Sequence, residues 1–358
     1  METTSVRPSG NSEKKGNQNI QCNNCALYLL VVSVVGSLSV AGVSLLPLHP
    51  NDHIPIALGA WLSALGLVFF VSLFALLNHV GLQTKVGQRC RKKYQLTIGE
   101  VLDISNKIVS AVQAVLSCFT GVVVCAWSCT RNFLRSSHFI SEAYAWFGAA
   151  YFFYDIWSMY KVYVCTAVNG AINGTVSAEN QKSRFRKVVD YLVCQPLIIL
   201  HHLFIGSFGF LLIVYLRGGL GDCVFGFVYL MELSTPFVSI RGILSKLKMK
   251  ASSLYVINGI TMLFTFFLCR LAMFPYVMYM YSEFINQSIW EAMKSLPTGC
   301  KVSMAILTIP QFYWFSLMTK GACSLISRNK VKNKAPQQKS VVCTPIATGR
   351  DDIASLSK

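Results

Sequence analysis

Eight blocks of predominantly apolar residues, each long enough to form a membrane-crossing helix, divide this 358-residue chain. A spanning helix takes about 20 such residues, because the hydrocarbon core of a bilayer is about 30 Å thick and each residue advances about 1.5 Å. The blocks fall at 26–46, 56–78, 108–127, 143–165, 196–216, 222–240, 253–281 and 302–325. In hydrocarbon every backbone N–H and C=O must find a partner within the chain, so the pattern predicts an all-α polytopic membrane helix bundle of about eight transmembrane helices. Composition agrees: 53% of residues are hydrophobic and 13% charged, against roughly 45–50% and 25% in ordinary globular domains. The block at 222–240 carries Glu232, and the overlong 253–281 carries Arg270 and Pro275, so these two depart furthest from a simple lipid-facing span. The first block follows 25 polar residues and is long for the core of a signal peptide, so it is expected to remain as a helix.

The formal net charge is +17, but the basic residues are scattered between apolar blocks and form no stripe, which argues against a nucleic-acid partner. Lys and Arg are instead rich and poor in alternate connecting segments. Basic residues stay cytosolic in short loops, so 47–55, 128–142, 217–221 and 282–301 are expected on the luminal or exterior side, with both termini in the cytosol. Of two glycosylation sequons, Asn286-Gln-Ser then falls on the luminal side and Asn173-Gly-Thr on the cytosolic side, so Asn286 is the one expected to be modified. The tails, 1–25 and 327–358, are rich in Ser, Asn, Gln and Lys and are expected to be disordered, the second basic as well.

Thirteen cysteines lie mostly in or beside apolar blocks, among them Cys118, Cys125, Cys129 and Cys194, where Cys acts as a small hydrophobe; no disulfide framework is implied. Cys22-x-x-Cys25 lacks a second pair, so no metal site is expected, and Cys90 in "GQRCRKK" reads as a free or acylated thiol. The chain carries no Gly-rich phosphate loop, no GxSxG and no HExxH.

Ionisable groups inside a bilayer cost about 2.5–3.5 kcal/mol on insertion scales and tend to mark functional paths. Here they are Asp155, His201, His202, Glu232 and Arg270. Measured from the expected cytosolic ends of their helices, His202 lies about 9 Å in, Glu232 about 12 Å and Asp155 about 15 Å, a shared layer. Arg270 falls about 26 Å in, where Asp222 is its expected partner or it snorkels outward. Residues three, four and seven apart share a helix face, which groups His202 with Gly206 and Gly209, and His201 with Ile205, Phe208 and Leu212. Small residues favour close helix approach, so His202 is expected to face the bundle interior and His201 its margin. Asp155 shares a face with Gly148, Tyr151 and Ser158, and Glu232 with Tyr229, Thr235 and Ser239. Pro236 is expected to deprive the Glu232 carbonyl of its helical partner and kink the helix, with repair by Ser234 and Thr235 as the alternative.

Several ordered stretches carry a family likeness: "YFFYDIWSMY", the "HH" pair, "GDCVFGFVYLMELSTPFVSIRGIL", "LYVINGI", "CRLAMFPY" and "PQFYWFSLMTKGAC". Together they resemble the TLC-domain proteins, the superfamily of the ceramide synthases and TRAM proteins, and within it the small vertebrate subgroup containing a proposed ceramide synthase. The likeness covers 56–326, leaving the helix at 26–46 as an addition to a seven-helix TLC-type bundle. It implies an endoplasmic-reticulum or Golgi membrane protein acting on sphingolipids, with membrane lipids, fatty acyl-CoA and a sphingoid base as partners, acyl-CoA as co-substrate and no bound cofactor. In ceramide synthases the histidine pair leads into further Asp residues; this chain offers only Asp222 and Glu232.

Two functions follow as expectations. The first is a sphingosine N-acyltransferase, a ceramide synthase, with His202 as base, Asp155 orienting it, and His201, Tyr151 or Tyr154 donating to the oxyanion; Glu232, Ser158 and Thr235 join Tyr151 and Tyr154 as substrate-binding candidates. An imidazole carrying the acyl group covalently is a variant of this. The second is a non-catalytic membrane lipid-binding protein that regulates lipid homeostasis, using the same polar layer to hold a headgroup.

Overall fold

The computed structural model describes residues 10–172 and 184–334, with side chains over 24–167 and 185–324. Asn173, the first nine residues and the tail from 335 lie outside the described residues. Every regular element among the described residues is helical. Thirteen α-helices follow in order: α1 Gly10–Leu45, α2 Ile56–Gln83, α3 Lys85–Tyr94, α4 Ile98–Ser128, α5 Phe139–Ile172, α6 Arg184–Cys194, α7 Pro196–Phe204, α8 Asp222–Leu230, α9 Thr235–Lys246, α10 Ser253–Phe266, α11 Met273–Ile285, α12 Ile289–Ser295 and α13 Thr298–Lys334. Residues 1–315 form one compact unit, and 316–358 a second that carries the end of α13.

Seven helical segments among the described residues are long and apolar enough to cross a membrane: Asn24–Leu45, Ile56–Gln83, Ile98–Ser128, Pro196–Leu216, Asp222–Lys246, Ser253–Ile285 and Thr298–Ser324. The chain is an all-α polytopic membrane bundle. The eighth expected span, 143–165, lies within α5, which is long enough at 34 residues but too rich in Tyr, Trp and polar side chains to count by hydropathy. Its burial explains the difference. α5 is packed on both sides, by α2 through a cluster of Phe69, Phe70, Phe74, Phe147, Tyr151 and Tyr154 and by α4 through hydrogen bonds, so its aromatic hydroxyls meet protein instead of lipid. Gly66 makes the α2–α5 crossing tight: a Cβ there would fall on the Phe147 carbonyl.

Helix ends also differ from expectation. α1 begins at Gly10, upstream of its apolar block, and α13 runs to Lys334, beyond the expected end at 326. Neither extension contains a proline, and elongating a formed helix is far easier than nucleating one.

Four irregular turns interrupt three of the spans. The chain after α7 runs through π turns at Ile205–Gly209 and Leu212–Leu216, α8 meets α9 through a 3-10 turn at Met231–Ser234, and α10 meets α11 through a π turn at Phe267–Ala272. Two of them lie immediately upstream of a proline. Pro236 and Pro275 would clash with the carbonyls at Glu232 and Leu271 in a continuous α-helix, and the altered winding makes room. The Glu232 carbonyl is not left free as expected: the 3-10 turn lets the Thr235 N–H reach it.

The connecting segments sort into two ends. At one, His53 Nδ1 lies 2.9 Å from Glu142 Oε1, Arg217 pairs with Asp222 and approaches Glu142 at 3.9 Å, and Phe133 stacks near Tyr281 and Phe284. The segments poor in Lys and Arg therefore meet there. At the other, Lys246 lies 3.6 Å from Asp103 and Lys248 donates to Gln95 at 3.0 Å.

A disulfide joins Cys129, at the end of α4, to Cys223, at the start of α8. This corrects the expectation that these thiols serve only as small hydrophobes. The pair is 94 residues apart in sequence and becomes adjacent only once α4 and α8 pack. They pack closely because Gly121 and Gly226 face each other; a Cβ on Gly121 would sit 2.7 Å from the Gly226 carbonyl oxygen.

Candidate functional site

Two polar clusters flank α7, one on each side. The first is the α4–α5 interface, organised by the carboxamide of Asn106. Its Nδ2 donates to Asp155 Oδ1 at 2.8 Å, and its Oδ1 accepts from Ser158 Oγ at 2.6 Å and Tyr154 Oη at 3.1 Å. Tyr151 donates to Ser110 Oγ at 2.9 Å. The other Asp155 oxygen lies 3.2 Å from Nδ1 of His202, with side-chain exposures of 5% and 12%. This is ion-pair distance without the alignment of a hydrogen bond, so Nδ1 itself has no hydrogen-bond partner among the described residues. The expected His202–Asp155 pair thus forms.

The second cluster lies on the opposite side of the histidines, where α8, α9, α10 and α13 converge. Arg270, in the π turn after α10, donates from Nε to the Met231 carbonyl at 3.0 Å and to Ser234 Oγ at 2.9 Å, from Nη1 to Gln311 Oε1 at 3.2 Å, and from Nη2 to Glu232 Oε1 at 3.3 Å and Thr235 Oγ1 at 2.9 Å. Thr235 in turn donates to Glu232 Oε2 at 2.6 Å. Arg270 is therefore part of the same region as Glu232, a correction to its expected place near Asp222, whose partner is Arg217. The depth estimate assumed uniform winding and separate partners. The π turn and the 3-10 turn change both, and an unpaired charge in this layer would be far more costly than the detour.

Between the clusters lies a cavity of about 110 Å³, lined by Gln113, Tyr144, His201, Glu232, Arg270 and Gln311 among its polar groups and by Phe204, Ile205, Phe208, Leu212 and Leu307 among its apolar ones. His201 is the histidine on the cavity wall, with its ring 5.0 Å edge-on from Trp314. His202 is turned towards α5, 5.6 Å from the Phe152 ring. The expected assignment of faces holds in part: His201 shares the cavity wall with Ile205, Phe208 and Leu212, but Gly209, expected on the His202 face, lines it too. What is reversed is which face is open. Gly206 is spent on helix contact, since a Cβ there would meet Phe152 at 3.0 Å, whereas Gly209 joins the bulky residues on the cavity wall.

Of the expected site residues, His201 and Glu232 line the cavity, with Thr235 hydrogen-bonded to Glu232. Tyr151, Tyr154, Ser158, Asp155 and His202 do not; they form the supporting α4–α5 cluster. Asn106, Gln113 and Gln311 were not singled out from the sequence, and Arg270 was singled out but expected to lie outside the site. Neutral amides inside apolar blocks give a weak hydropathy signal, yet Gln113 and Gln311 are 3% and 1% exposed and each sits on the cavity wall. Asn286 is exposed, and Ser288 of its sequon caps α12 by accepting from Glu291 N. No cluster of metal-ligating side chains occurs among the described residues.

A membrane bundle in which one helix presents a histidine to a cavity of about 110 Å³ and sets its neighbour 3.2 Å from a buried carboxylate defines a class of integral membrane protein. The model of the TLC domain matches residues 103–320, and the chain belongs to the TLC-domain family. It is similar to TLC domain-containing protein 4 of Homo sapiens, 32% identical over 123 residues, a stretch that covers 33% of this chain and 47% of that protein, so the match spans about half the human relative. It is also similar to TLC domain-containing protein 4 A of Dictyostelium discoideum, 25% identical over 252 residues, covering 69% of this chain and 84% of that one. No solved structure matches the chain.

Proposed function

We propose that the protein is an acyl-CoA-dependent N-acyltransferase that joins a fatty acyl group to a sphingoid amine, with His201 as the group in contact with substrate. The observation that carries this reading is the position of His201 on the wall of a cavity within the membrane bundle, next to a His202 whose ring lies 3.2 Å from Asp155. In the reaction the amine nitrogen attacks the thioester carbonyl carbon, the carbonyl oxygen takes the displaced electron pair, and collapse of that intermediate forms the amide and expels the coenzyme A thiolate. His201 accepts the proton released by the amine and returns it to the thiolate. His202 and Asp155 act as positioning residues. This moves the base from His202, where it was expected, to His201, because the ring that meets the cavity must do the proton transfer.

A second reading is favoured by one observation. The cavity carboxylate, Glu232, is held by Arg270 and Thr235, which leaves it unsuited to proton transfer and suited to shaping a binding site. On that reading the protein binds a lipid without transforming it. Localisation in the endoplasmic reticulum or Golgi, with both termini cytosolic, belongs to the same proposal. It is supported by the disulfide, since such bonds persist in oxidising compartments and this one lies at the end where the segments poor in basic residues gather.

The two readings separate on purified, full-length protein in nanodiscs given labelled palmitoyl-CoA and sphingosine. Labelled ceramide from the wild type, lost in His201→Ala, is the expected result. No product from wild-type protein, where a known ceramide synthase is active in the same assay, removes the enzymatic reading.

A further inference from the structure

Gln311 is 1% exposed and lines the cavity, yet one end of its carboxamide has no partner among the described residues. Its orientation is fixed by chemistry. A guanidinium has donors only, so the oxygen must face Arg270, where Oε1 lies 3.2 Å from Nη1. Nε2 is then left as a buried donor without an acceptor. Such an orphan is costly, and here it sits on the wall of an open space. Arg270 itself is committed, through contacts to Met231, Ser234, Glu232, Thr235 and Gln311, and its charge is balanced by Glu232.

We propose that Gln311 is a specificity-determining residue that donates from Nε2 to an uncharged oxygen of a lipid head, a hydroxyl or amide carbonyl, and that the cavity rejects lipids whose head is a phosphate ester. A phosphate at this position would meet the Glu232 carboxylate and find no uncommitted cation. A neutral head gains the hydrogen bond and leaves the ion pair intact, while Phe204, Ile205, Phe208 and Leu212 supply apolar wall for its chain. This inference rests on the proposed function only in that the cavity holds a lipid, and it stands whether or not acyl transfer occurs.

The test uses the full chain in nanodiscs, with native mass spectrometry reading retention of ceramide and of ceramide 1-phosphate of the same chain length. Ceramide is expected to be retained, and its phosphate ester at least about tenfold more weakly. Gln311→Glu keeps an oxygen towards Arg270 and removes the donor, so it is expected to weaken ceramide retention by roughly tenfold with the thermal midpoint unchanged. Equal retention of the two lipids by wild-type protein, retention of neither, or a folded Gln311→Glu variant that holds ceramide as the wild type does would each overturn the proposal. The wild-type comparison decides the matter even if the variant does not fold. Retained ceramide without acyl transfer would remove the enzyme and keep the Gln311 assignment.

Discussion

At the scale of single residues, the two histidines do different work although they are neighbours in sequence. His202 is packed between Phe152 and Asp155, whereas His201 borders open space. Their substitutions should therefore separate. His201→Ala is expected to lower acyl transfer by about 10²-fold or more with little change in thermal midpoint, and His202→Ala to lower the midpoint through loss of packing while some transfer persists; steady-state rates beside thermal unfolding of the same preparations read both. Equal effects of the two on rate and stability would contradict the division. Asn106 serves three partners in a dry interface, so Asn106→Ala should destabilise the bundle by about 1–3 kcal/mol per group left unpaired, measured by denaturant titration in detergent. The histidine pair and Asp155 were legible in the sequence because charges in apolar blocks stand out. Asn106 and Gln311 were not, since an amide gives no charge to notice and its partners come from distant helices.

At the scale of helices, the apolar blocks were readable because length alone separates a membrane span from most other uses of hydrophobic residues. The winding of α7, α8–α9 and α10–α11 was not. Each contains a π or 3-10 turn, and only two have a proline as a signal; at Pro236 that signal predicted a kink and a free carbonyl where the structure makes a 3-10 turn that gives the carbonyl a partner. Face assignment held for the histidines, which precede the π turns, and failed for Gly209, which the first π turn brings to the cavity wall. Which face is open depended on α5, and no single helix encodes that. The α4–α8 crossing gives a direct test of close packing. Gly121→Leu should push α4 away from the Gly226 carbonyl and lower the thermal midpoint, whereas Gly42→Leu, where a Cβ meets nothing, should leave it unchanged. A midpoint insensitive to Gly121→Leu would mean that the helices do not approach so closely.

At the scale of the whole molecule, charge and redox chemistry converge on one orientation. The alternation of basic segments was visible in the sequence, but the Cys129–Cys223 bond was not, because two cysteines 94 residues apart carry no pairing information until the helices are packed. In the proposed topology the end with Glu142, Arg217 and Cys129 faces away from the cytosol. In sealed microsomes, Cys129 and Cys223 should resist a membrane-impermeant maleimide before and after impermeant reductant is added outside, and become reactive once the membrane is permeabilised and reduced. Asn286 should carry a glycan that is removed by glycosidase only after permeabilisation. Labelling of Cys129 in intact, reduced vesicles would invert the assignment.

The central claim is that a lipid occupies the cavity beside His201. Photo-crosslinking of the reconstituted protein with a diazirine-bearing sphingosine, followed by peptide mapping, tests it most directly. Adducts on the α7 peptide with His201 and Phe204 and on the α13 peptide with Leu307 and Gln311, both displaced by unlabelled sphingosine, are predicted. Adducts confined to outward residues such as Val35, Trp61 and Phe119, unaffected by competitor, would contradict it.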